Sequence, residues 1–107
     1  MVYIANAFAL SMIEEKEAIL RIKEISKEEV KEILKEGFIS AIGHQSTAEI
    51  LSQLLDINIP FNRVQIKITP SDKLIVFQIL TRLEEGKILS KEEISKLPFK
   101  FFLIERG

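Results

Sequence analysis

Hydrophobic and polar positions alternate along this chain in short blocks separated by turn residues. Residues 2–8 are a β-prone run. Residues 18–25 set Leu20 and Ile22 against Arg21 and Lys23, the period-two pattern of a strand covered on one side. Ser26 with Glu29 three positions on is a capping box, and Val30, Ile33 and Leu34 behind it share a helical stripe that Gly37 closes as a C′ residue. Ser46 with Glu49 is a second box, predicting a helix whose apolar stripe is Ile50, Leu51, Leu54 and Leu55. Pro60 breaks the chain after it. Val64, Ile66 and Ile68 then alternate with Gln65 and Lys67, which predicts another half-covered strand.

Pro70, Ser71 and Asp72 form a turn cluster ahead of residues 73–82, an almost unbroken apolar run. Such a run predicts a central strand buried on both faces. Ser90 with Glu93 opens a third, short helix that Pro98 ends, and residues 99–104 are a last apolar strand. The expected fold is α/β (α+β): a mixed sheet of about five strands with about three helices packed on it. No repeat or linker divides the chain, so residues 1–107 are read as one domain.

Composition narrows the function classes. Lys and Arg number 15 against 16 Asp and Glu, a net charge of −1. That balance argues against holding long duplex nucleic acid by bulk phosphate neutralisation, while leaving room for a small anionic ligand held by a few arginines. With no cysteine there is neither a disulfide framework nor a thiolate metal site, and a single histidine argues against a transition-metal cluster. No metal or other cofactor is expected. The apolar runs are shorter than a membrane span and the N-terminus lacks a charged n-region, so no membrane partner and an intracellular location are expected.

The candidate chemistry centres on that histidine. His44 lies just before the helix predicted from Ser46, where orphan amides and the positive end of the helix dipole favour an anion. A titratable imidazole beside an anion site suits proton transfer to an oxygen of a phosphate ester. The structural alternative is a histidine satisfied at a helix cap. Gln78 interrupts the most apolar strand and shares a face with Arg82, about 13 Å away. Its structural alternative is an amide bonded to neighbouring backbone; its functional readings are a ligand contact or a subunit interface. Asn6 is a poor strand former inside the first strand, and Arg63 is either surface decoration or a phosphate contact.

No glycine-rich phosphate loop, catalytic triad order or paired-carboxylate signature is present. The remaining inventory, one imidazole, a few arginines, amides and Glu85, suits RNA cleavage without metal. The 2′-hydroxyl attacks the adjacent phosphorus in line, an arginine balances charge on the equatorial oxygens, and His44 protonates the departing 5′ oxygen.

At these residues the chain resembles the viral type III anti-CRISPR ring nucleases, small proteins of archaeal viruses with bacterial relatives. The matching segments are Ile4, Ala5, Asn6, Ala7 and Phe8, then Ser40 through His44 with Ser46 and Thr47, then Asn62, Arg63 and Val64. Gln78 with Arg82, Leu83, Glu84, Glu85, Gly86, Lys87, Ile88 and Leu89 completes the set in family order. The resemblance implies a homodimer with its pocket on the two-fold axis. It implies binding of cyclic tetra-adenylate, cleavage to linear di-adenylate ending in a 2′,3′-cyclic phosphate, and so suppression of type III CRISPR immunity in the host cytoplasm. It assigns His44 as general acid and Arg82 and Glu85 as active-site groups. It places Asn6, Ser46, Thr47, Arg63, Ile66 and Gln78 against the ring. One departure stands out: the family's serine after the Asn6–Phe8 segment is Ala9 here, and Ser11 replaces it if the segment stays extended.

Two histidines in a dimer match two cuts in a symmetric ring. The competing readings are a viral module that binds nucleic acid or sequesters the messenger without turnover, and a purely structural dimerisation protein.

Overall fold

The structure is a computed structural model that describes residues 1–80, 92–93 and 96–106. Five strands form one sheet: β1 (Val2–Ala5), β2 (Leu20–Ile25), β3 (Ile39–Ala41), β4 (Lys73–Ile79) and β5 (Phe99–Arg106). Their spatial order is β2-β5-β4-β1-β3. β1 runs parallel to β3 and β4, whereas β5 is antiparallel to both β4 and β2, so the sheet is mixed as expected.

Two α-helices are described, α1 (Lys27–Leu34) and α2 (Gln45–Leu55), where three were expected. The third, with its pair Ser90 and Glu93, falls mostly outside the described residues. Within them the Lys96 amide donates to the Glu93 carbonyl at 3.2 Å.

The sheet carries apolar residues on both faces. Toward the helices, Ile4, Ile75, Phe77, Phe101 and Leu103 pack with Val30, Leu34, Leu51 and Leu55. On the other face Ala5, Ala41, Leu74, Val76 and Ile104 pack with Ile66 and Ile68. Leu74 to Phe77 are therefore four consecutive buried residues, as a central strand with two covered faces requires.

The segment predicted as a strand from Val64 to Ile68 is a correction. It is irregular chain laid across the helix-free face, with Ile66 and Ile68 buried beneath it and Val64 exposed. Alternation reports one apolar side; it says nothing about whether the backbone joins a ladder. The fifth place in the sheet belongs to β3, three residues too few to show a period.

α1 begins as its capping box predicts: the Glu29 amide donates to Ser26 Oγ at 3.1 Å and the Ser26 amide to Glu29 Oε1 at 3.4 Å. Gly37 lies two positions past the C-cap Lys35, one later than expected, at φ 111°, where a side chain is strained.

The turn before β4 forms around Asp72, whose Oδ2 accepts from the Thr69 amide at 2.9 Å and the Thr69 hydroxyl at 2.8 Å. Burial opposes ionisation of Asp72. The Thr69 hydrogen bonds and the amino group of Met1, 3.5 Å from Oδ1, outweigh it and hold the carboxyl below the ordinary aspartate value. A carboxyl depressed on folding contributes stability that is complete above its unfolded pKa and is lost as pH falls through its folded pKa. On acidification below about pH 4, Asp72→Asn is expected to lose less stability than the unsubstituted protein. Urea unfolding at a series of pH values checks this, and parallel pH profiles for the two proteins overturn it.

Candidate active site

Three parallel strands end at the same edge of the sheet, the position at which open α/β sheets commonly take ligands. β1 pairs Ala5 with Ala41 of β3, so the residues that follow each strand, Asn6 and Ile42, are level. The Asn6 side chain crosses the gap: its Oδ1 accepts from the Gly43 amide at 3.2 Å. The asparagine that looked misplaced in a strand stands just past β1 and braces the next turn.

A third segment closes on the same place. Phe61 bridges Ile42 in parallel, the Asn62 amide donates to the Ile42 carbonyl at 2.9 Å, and Asn62 Nδ2 donates to the Ser40 carbonyl at 2.7 Å. The Ser40 hydroxyl donates to the Pro60 carbonyl at 2.6 Å. These contacts bring Arg63 over Gly43, where a Cβ would lie 3.6 Å from Arg63 Cγ. Asn62, which carried no role of its own in the sequence although it adjoins Arg63 in a matching segment, is a second brace.

The Ser46–Glu49 capping box does not form; α2 starts earlier than expected. His44 is its N-cap, with φ −134° and ψ 128°, and no side chain among the described residues caps the helix. Glu49 instead accepts from Gln45 Nε2 at 3.2 Å. The Ala48 amide bonds to the His44 carbonyl, leaving the amides of Gln45, Ser46 and Thr47 ahead of the intrahelical ladder. The first turn carries no acidic residue. Among the described residues its positive end has no acidic partner in that turn, with an exposed imidazole at the threshold and an arginine alongside.

Asn6, His44, Ser46, Thr47 and Arg63 therefore meet at one edge. Thr47 is buried and Ser46 exposed. Gln78 lies at the carboxyl end of β4, opposite Lys100 and on the helix-free face. It is exposed, so it carries none of the desolvation cost that a buried amide would. Ile66 turns into the core. The chain at Leu10–Met12 is a single 3₁₀ turn rather than extended, so the condition for Ser11 to replace the serine is not met. The Ser11 carbonyl accepts from Lys67 Nζ at 2.7 Å. Arg82 and Glu85 lie outside the described residues. Among the described residues no three acidic or histidine side chains gather as metal ligands, and no helix is long and apolar enough to cross a membrane.

The molecule is thus a small α+β domain: a five-stranded mixed sheet with two helices on one face, and Asn6, His44 and Arg63 gathered at the head of α2 where its parallel strands end. Residues 2–101 match the STIV B116-like family, and the chain belongs to it. It is similar to B116 of Sulfolobus turreted icosahedral virus, a solved structure with TM-score 0.83 and 30% identity that covers 97% of each chain. Uncharacterized protein 26 of Sulfolobus islandicus filamentous virus (isolate Iceland/Hveragerdi) is 42% identical over 98% of this chain and 91% of its own length. Uncharacterized protein YddF of Bacillus subtilis (strain 168) is 32% identical over 94% of this chain and 95% of its own.

Proposed function

We propose that this protein is a metal-independent ring nuclease, a viral product acting in the host cytoplasm. As a homodimer it binds cyclic tetra-adenylate across its two-fold axis and cuts it to linear di-adenylate with 2′,3′-cyclic phosphate ends, so silencing type III CRISPR immunity. The observation that carries the reading is the exposed His44 at the uncapped head of α2, with Asn6 bracing its turn and Arg63 beside it.

The first-turn amides of α2 and Arg63 receive a phosphodiester, by hydrogen bonds to its non-bridging oxygens. In-line attack by the neighbouring 2′-oxygen forms one P–O bond and breaks the bond to the 5′-oxygen. Protonated His44 donates its proton to that departing oxygen, while the 2′-hydroxyl proton leaves to water. Arg82 balances the charge that gathers on the equatorial oxygens, and Glu85 completes the site. The exposed Gln78 belongs to ring recognition on the same edge. Two copies of His44, one from each protomer, make the two cuts.

The test is direct. Purified protein, labelled cyclic tetra-adenylate and EDTA are mixed and the products separated by chromatography. Linear di-adenylate formed despite the chelator is the expected result. A ring bound but intact after hours identifies a sequestering module instead, and activity abolished by EDTA overturns the metal-free mechanism.

A further inference from the structure

Two segments that wall the site are fastened to one residue at the opposite end of the sheet. One leads from Asn6 to Glu15 and the other from Arg63 to Ile68. They meet on the helix-free face, where the Ile68 amide donates to the Met12 carbonyl at 2.8 Å and Lys67 Nζ to the Ser11 carbonyl at 2.7 Å. Arg106 of β5 then joins both. One terminal nitrogen of its guanidinium donates to the Ile68 carbonyl at 2.7 Å, and the other to the Glu15 carboxylate. The Arg106 amide also reaches the Asp72 carbonyl at 3.5 Å.

Arg106 is one position beyond the Lys73–Glu105 pair, hence at the amino end of β4, away from the catalytic edge. The chain from Ile68 back to Arg63 spans at most about 18 Å, so a shift at the anchor is passed along a short tether.

We propose that Arg106 is a positioning residue: its planar fork sets where the Asn6 and Arg63 segments stand relative to each other. Stability is only part of the account. Arg106 is 8% exposed, and its Nε is buried without a partner among the described residues. Desolvating the guanidinium and orphaning one N–H offset part of what the contacts return, and an apolar side chain at this position leaves Glu15 and the Ile68 carbonyl without their shared donor. What such a replacement removes is directional geometry, which the fork supplies and a methionine does not. His44 stands at the head of α2, outside both segments, and the Asn6 brace holds the Gly43 amide rather than the imidazole, so the arrangement acts chiefly on binding.

The kinetic arm of the test rests on the ring nuclease reading; the exchange arm does not. In full-length Arg106→Met, hydrogen exchange of the Ile68 amide is expected to quicken about tenfold or more. The KM for cyclic tetra-adenylate is expected to rise about tenfold with kcat within about twofold, because only a fraction of molecules then hold the binding arrangement. Arg106→Lys is expected to recover part of both effects. Glu15→Ala, at a side chain 46% exposed, is expected to move both in the same direction, and carries the test alone if Arg106→Met does not fold. Unchanged exchange with unchanged KM overturns the proposal, as does a fall in kcat at constant KM. If the unsubstituted protein leaves the ring intact, the functional reading fails, and the exchange rates alone decide for or against Arg106 as the anchor.

Discussion

His44→Ala is expected to slow single-turnover cleavage of cyclic tetra-adenylate by about 10²–10⁴-fold, the usual cost of removing a general acid. Affinity for the ring is expected to stay within about threefold. The two quantities separate because the groups assigned to binding are backbone amides of α2, Arg63 and Asn6, none of which the substitution removes. Nor does the helix lose a cap, since the His44 side chain makes no capping bond. Its exposed position limits the change in stability to about 0.5 kcal/mol. Calorimetric titration of the variant and quench-flow cleavage under single-turnover conditions give the two numbers. A variant that cuts within threefold of the unsubstituted rate removes His44 from the chemistry; one that neither binds nor cuts assigns it to recognition.

Phe77→Ala is expected to cost about 3–5 kcal/mol of folding stability. Phe77 is 2% exposed, and its ring centroid stands 5.1 Å from that of Phe101 and 5.8 Å from that of Phe99. The last two rings meet edge to face at 5.5 Å. Deleting the central ring leaves a void walled by a sheet and two helices, and loses both aromatic contacts. A domain of this size has about 5–15 kcal/mol in hand, so the loss takes a large share of it. Urea unfolding at one fixed protein concentration reads the change, because any self-association makes a midpoint depend on concentration. A cost below about 1.5 kcal/mol means that the layer collapses around the missing ring.

The sheet's central strand was legible because its apolar run is long and leaves no solvent side: Leu74 through Phe77 are buried one after another. Ser26 with Glu29 was equally legible, since a capping box is a contact between near neighbours. The same pattern at Ser46 and Glu49 misled. There the Gly43 amide is held by Asn6, a residue 37 positions away, and the helix begins two residues after that anchor, at Gln45. Three residues of β3 carry no period, and the chain from Val64 to Ile68 carries one without being a strand.

The sequence by itself determined the class of fold, the central strand, both described helices and the single imidazole available for proton transfer. Those features depend on spacing within a few residues and on residue chemistry, which need no knowledge of the remainder of the chain. Only the tertiary structure decided that Asn6 and Arg63 stand at the turn before His44, that Gln78 is exposed, and that Arg106 ties together the segments walling the site. Each of these depends on which strands lie side by side and in which direction, and that is settled by the packing of the whole sheet.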